Sequence, residues 1–214
     1  YRTPNIDNLA AEGFRFLEAY SGAPLCTPTR VSFMRGRYPA RDPIGLQEPL
    51  YGGPNYRNNG LSQYQPTIVS LLGSGGYETA LIGKWHLSTS HEMGPNAHGF
   101  DEFFGYMGGF LDYAAHKNAG GNHDLFENTK PVHPEGYATD LFSDRAAAFI
   151  KRPHDKPFFL SLQYNAPHAP WQGPADPPVE PGVPFGTVGT PESYREIMIS
   201  LDAGVGRVLE AIDD

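Results

Sequence analysis

Apolar residues recur along this chain in two patterns, every three to four positions in some stretches and in alternating or continuous runs in others. Thr3-Pro4 pairs a capping hydroxyl with a proline at the first helical position. Ile6, Leu9 and Ala10 then form a stripe that Gly13 stops, which predicts a first helix. Phe14 and Phe16 alternate with polar neighbours and predict a short strand over 14–20, followed by loop to Cys26. Pro28 opens a second helix over 28–34 that ends near Gly36. Thr67 caps a third helix through Leu72, broken at Gly75-Gly76, and 77–82 reads as a strand ending at Gly83-Lys84. From Thr139 to Ile150 the apolar residues Leu141, Phe142, Ala146, Phe149 and Ile150 fall on one side of a helix. The run 158–164 after Pro157 fits a buried strand, and 192–212 a last amphipathic helix. Three stretches, 38–65, 88–135 and 165–191, are rich in turn-forming residues and read as loops, the first of them on the surface.

Helices alternating with buried strands predict an α/β fold, a largely parallel central sheet flanked by helices and rich in loops. No repeat and no linker divides the 214 residues, so they read as a single domain. In such sheets sites gather at the strand ends, where Cys26, Lys84 and His168 all fall. Composition adds that 25 glycines and 21 prolines demand much loop, the usual home of binding groups. The net charge of -8 argues against a nucleic-acid binder, although a small anionic substrate needs only a few local cations. No apolar run is long enough for a membrane span, and no secretion segment opens the chain. Because it starts at Tyr1 without Met, the first residues are expected to have been removed. The single cysteine, Cys26, leaves no partner for a disulfide and no multi-cysteine metal site.

Cys26 lies at or just before a helix start, where free backbone N–H groups favour an anion, and Arg30 one turn on can return a cation to the same place. That suggests a nucleophile for a sulfate or phosphate group; a small buried structural cysteine is the even alternative. Lys84 and His86, two apart past a strand, share a site if strand geometry continues, and are otherwise a surface lysine and a core histidine. His168 is held between Pro167 and Pro170. Asp112, Tyr113 and His116 in a glycine-rich loop, and His123 with Asp124, are candidates to line a substrate pocket or else solvated loop residues. Asp140 reads as a first-turn carboxylate, and His91, His98 and His133 do not form a zinc pattern.

The run Cys26-Thr-Pro-Thr-Arg30, continued by Val-Ser-Phe-Met-Arg35-Gly36-Arg37, resembles the Cys-x-Pro-x-Arg signature of the sulfatases, with Arg35 where relatives more often carry Thr. A second sulfatase pattern stands at Gly76-Tyr77-Glu-Thr79-Ala-Leu-Ile-Gly83-Lys84-Trp-His86. Thr3-Pro-Asn-Ile-Asp-Asn-Leu-Ala, His98-Gly-Phe-Asp101 and Ala166-Pro-His168 extend the resemblance over essentially the whole chain.

The resemblance implies an alkaline phosphatase-like fold, of which 1–214 is an incomplete piece of the N-terminal catalytic domain. It implies hydrolysis of sulfate esters, on aryl sulfates or sulfated sugars. The cysteine would be converted by a formylglycine-generating enzyme to an aldehyde whose hydrate attacks sulfur. Arg30, Lys84 and His168 would then bind the sulfuryl oxygens, and His86 would hold and deprotonate the diol. Asp112 and His116 are carried as further substrate contacts. A calcium or magnesium ion is implied too, but the Asp-Asp and Asp-Asn pairs that hold it in relatives are missing, leaving Cys26 as its one ligand here. The isolated piece is therefore expected not to turn over. Periplasmic, secreted or lysosomal residence follows by the same analogy. The rivals are a phosphatase or phosphonate monoester hydrolase of the same superfamily, a thiol hydrolase, and a non-catalytic binder of sulfated glycans.

Overall fold

The structure, a computed structural model, describes residues 1–47, 50 and 59–214. Its centre is a sheet in the order β4-β3-β2-β1-β5. The three longer strands, β1 (Glu78–Lys84), β2 (Glu102–Tyr106) and β5 (Phe158–Gln163), run parallel, with β1 in the middle. Two antiparallel two-residue strands, β3 (Phe126–Glu127) and β4 (Lys130–Pro131), widen the sheet beyond β2. The sheet is therefore mixed, with its parallel part carrying the strand ends that matter below.

Alternation along the strands divides the core. Ala80 and Ile82 point to one face, where they meet Phe142, Ala146 and Phe149 of α4 (Ala138–Lys151) and Ile197 of α5 (Pro191–Asp213). Leu81 points to the other face, against Val31 and Met34 of α2 (Cys26–Arg35) and Val69 of α3 (Ile68–Ser74). A central parallel strand covered on both faces needs apolar side chains on both, which is why this stretch reads as a continuous apolar run. α1 (Pro4–Glu12) is tied to α5 rather than buried: Asp202 of α5, 3% exposed, accepts from the backbone N–H groups of Asn5 (3.2 Å) and Ile6 (3.0 Å). No helix among the described residues is long and apolar enough to cross a membrane.

The expected helices are present within a few residues. Thr67 and Ser70 form a reciprocal capping box at α3, and Gly36 closes α2 with φ 62°. Four expectations change. The 14–20 stretch is not a strand: nothing pairs with it among the described residues, and Phe14 and Tyr20 lie exposed. Strand β2, read as loop, forms because β1 offers it a parallel ladder from Ala80↔Glu102 to Lys84↔Tyr106. Strand β5 is half-buried rather than buried, since it pairs only with β1. The 38–65 stretch is not wholly superficial, because Ile44, Leu50 and Leu61 are buried; its residues 48–49 and 51–58 lie outside the described residues.

Candidate active site

The C-terminal ends of β1 and β5 and the N-terminus of α2 meet at a cleft of about 910 Å³, lined among others by Cys26, Arg30, Lys84, Gln163 and His168. Gly83 stands one residue before Lys84 at the end of β1. Its φ of 103° is open only to glycine in practice, and a Cβ there would stand 2.0 Å from the Gln163 carbonyl oxygen. Lys84, the last residue of β1, reaches with Nζ to 3.3 Å from Cys26 Sγ and donates to the Gly109 carbonyl at 2.8 Å. Arg30 donates to the Lys84 carbonyl (2.8 Å) and to Gln163 Oε1 (3.2 Å), which aims its guanidinium along the same strand ends.

His86 does not continue the strand. Its φ of 53° is unusual for a side chain with a Cβ, and three contacts hold it there. Its N–H donates to the Met107 carbonyl (3.2 Å), its carbonyl accepts from Thr27 Oγ1 (3.1 Å), and Nε2 meets the Leu50 carbonyl at 3.0 Å. A carbonyl only accepts, so Nε2 carries the hydrogen and Nδ1, buried and without a hydrogen-bond partner, keeps its lone pair. His168 is fixed by its N–H on the Asn165 carbonyl (2.9 Å) and by Tyr113 Oη on its own carbonyl (3.0 Å). Its Nδ1 donates to the Ala169 carbonyl (3.0 Å), leaving Nε2 as the free ring nitrogen.

These neighbours change the acid-base character of the cluster. The Cys26 thiol is lowered to about 4 by the neighbouring His168 and His86 side chains, against the opposing effect of burial, with Lys84 adding its charge. Burial and then the Arg30 cation lower Lys84 to about 8, while Cys26 pulls the other way. Burial also pushes His86 down, so its imidazole is neutral at ordinary pH. The cluster as a whole sets two cationic side chains, Arg30 and Lys84, beside one thiol in the cleft.

Asp112 and His116 do not belong to this cleft, nor are they solvated. Asp112 is 1% exposed, and its carboxylate accepts from the N–H groups of Ala114 (2.9 Å), Ala115 (2.7 Å) and Val179 (2.7 Å). A carboxylate so occupied ties loops together. His116 is buried with Nε2 on the Gly136 carbonyl at 3.0 Å, and burial lowers its pKa. Asp124, also buried, accepts from Met107 and Gly108. Asp140 pairs with Arg207 of α5 instead of merely facing a helix dipole. Gln163 went unremarked in the sequence; its place at the end of an apolar strand was the available signal.

A hard cation does not fit these side chains. Among the described residues no group of three or more histidine, cysteine, aspartate or glutamate side chains can hold a metal ion. The buried carboxylates of Asp112 and Asp124 are spent on backbone N–H groups, and Cys26 is faced by a lysine.

Comparison with known proteins gives the cluster its context. A model of the sulfatase family matches residues 1–214. The chain belongs to the sulfatase family. It is 30% identical to N-acetylgalactosamine-6-sulfatase of Homo sapiens over 227 residues, which cover 99% of this chain and 42% of that protein. It is 36% identical to arylsulfatase J of Mus musculus, over 81% of this chain and 30% of the relative. The crystal structure of Ps i-CgsB superposes with a TM-score of 0.82 at 31% identity, covering 99% of this chain and 49% of that one. This supports the alkaline phosphatase-like fold that the sequence patterns imply. The chain thus spans about half or less of the length of these relatives.

Proposed function

We propose that this sulfatase-family chain carries the sulfuryl-binding cluster of an enzyme that hydrolyses sulfate esters of carbohydrates, using formylglycine made from Cys26. The observation that carries the reading is the convergence of Arg30, Lys84 and His168 on Cys26 in one cleft, with buried His86 beside the same thiol. Formylglycine supplies a hydrated aldehyde, whose oxygens would stand where Cys26 Sγ stands now. Lys84, at 3.3 Å, is placed to hold those oxygens together with one of the ester's sulfuryl oxygens. Arg30, locked by two acceptors, contributes a fixed cation that needs no rearrangement as charge develops. His86, neutral and with Nδ1 free, accepts a proton, and His168 Nε2 is available to a sulfuryl oxygen or to the leaving alcohol. The metal that the family resemblance implies would need oxygen ligands beyond those described. Phe33, Trp171 and Tyr194 line the same cleft and offer flat apolar faces to the ring of a sugar or an aryl group. A relative 32% identical, Ps i-CgsB, has been solved in complex with k-i-k-neocarrahexaose.

The test is made on full-length protein produced beside a formylglycine-generating enzyme. Mass spectrometry of the peptide bearing residue 26 should show a species lighter than the thiol and reactive toward a hydrazide. Sulfate release from aryl sulfate and from sulfated oligosaccharides should accompany it and vanish in Cys26→Ala. Faster turnover of aryl phosphate than aryl sulfate would favour the phosphatase reading. An unmodified thiol whose alkylation abolishes turnover would favour a thiol hydrolase, and saturable glycan binding without turnover a non-catalytic binder.

A further inference from the structure

Asp124 is 5% exposed and sits behind the site rather than in it. Its Oδ1 accepts from the Met107 N–H and its Oδ2 from the Gly108 N–H, both at 3.0 Å. Each of those amides belongs to a peptide unit whose carbonyl faces the strand carrying the site. The Tyr106 carbonyl accepts from Trp85 N–H at 2.9 Å, and the Met107 carbonyl from His86 N–H at 3.2 Å. Two hydrogen-bonded chains thus run side by side from one carboxylate, each through a single peptide unit, to the backbone of Trp85 and of His86. Such chains polarise each link in turn, and a charged acceptor at the end strengthens them.

The same turn is gripped on both sides. A Cβ on Gly108 would lie 2.7 Å from Asp124 Oδ2, and a Cβ on Gly109 would lie 2.7 Å from His86 Cε1. Only glycine permits both approaches, and the Gly109 carbonyl is the acceptor that holds Lys84 Nζ. We propose that Asp124 is a positioning residue of this site, fixing the Met107–Gly109 turn against Lys84 and the strained backbone of His86. The inference rests on the sulfatase reading for its kinetic consequences but not for its geometry. Burial raises the Asp124 pKa to about 6 against the two N–H bonds, in keeping with a carboxylate kept dry for the sake of those bonds.

The experiment uses matured full-length protein with Asp124→Ala and Asp124→Asn, the second nearly isosteric so that the fold survives. Asp101→Asn is the control, because Asp101 likewise holds Thr79 N–H (2.9 Å) and Oγ1 (3.0 Å), but near the opposite end of β1. Turnover of aryl sulfate is normalised to formylglycine content, and hydrogen exchange is followed at Met107 and Gly108. Both Asp124 variants should exchange these amides faster and lose about 10- to 100-fold in kcat with KM changed by less than about threefold. Asp101→Asn should lower Tm while leaving both readouts alone. Unchanged exchange in Asp124→Asn, or a kcat loss matched by Asp101→Asn, would overturn the proposal. If the unsubstituted protein releases no sulfate, the functional reading fails on its own, and hydrogen exchange alone decides the role of Asp124.

Discussion

Cys26 stands between a lysine and two histidines, and its chemistry follows from that company more than from its place in the chain. With the thiol lowered to about 4 by His168 and His86, unmodified protein should be alkylated by iodoacetamide at pH 5 nearly as fast as at pH 7. An ordinary thiol would lose its thiolate over that interval. His168→Ala should restore such a loss, and a rate that climbs steeply up to pH 8 in the unsubstituted chain would refute the assignment. Gly83 is the second decisive residue. Gly83→Ala meets both the positive φ and the Gln163 carbonyl, so urea unfolding should show a loss of at least about 1–3 kcal/mol from backbone strain. The Cys-x-Pro-x-Arg run made Cys26 and Arg30 legible in sequence. Gln163 was not, and Asp124 was read only as a pocket-lining or solvated loop residue, because what each one meets across the sheet is not written locally.

At the scale of elements, the end of α2 organises the loop that follows it. Arg35, in the last turn of α2, donates to Asp42 and to the carbonyls of Ser62, Gln65 and Pro66, so one side chain fastens both ends of the 38–66 excursion. The Arg35 and Asp42 side chains are 2% and 6% exposed. Removing one partner of such a pair leaves the other charge buried alone, so Arg35→Ala should cost about 3–5 kcal/mol in chemical denaturation. A change within experimental error would mean that the 38–66 segment holds itself. Periodicity announced α4 and α5 well, since α4 buries a stripe against the sheet and α5 packs on α4, while α3 was announced by its Thr67 cap. It missed β2, a short strand that exists through its pairing with β1, and it overstated 14–20, where alternation found no ladder to join.

The whole molecule carries a pH dependence set by its buried histidines. Desolvation, aided by Arg35, lowers His98 to about 4, and burial also lowers His86 and His116. For these groups the unfolded chain binds the proton more readily, so they stabilise the fold above pH 6.5 and lose that contribution as pH falls toward 4. Asp124 acts in the opposite sense between its ordinary range and about 6, because its folded form holds a proton longer. Three histidines and the lowered Cys26 thiol outweigh one carboxylate, so Tm should fall as pH drops from 6.5 to 4, and less so in His98→Gln. A Tm constant across that range would show that the histidines stay hydrated in solution.

By itself the sequence determined the helices, the central strand, the α/β class and the sulfatase pattern around Cys26. Each of these is written in local terms: caps, apolar period, glycine stops and a contiguous run around position 26. Tertiary structure alone decided that Lys84, His86 and His168 close on Cys26 while Asp112 and His116 turn inward to bind backbone. The reason is that a buried polar group must find partners, and which backbone groups lie unpaired beside it is settled only when the sheet and its loops are packed.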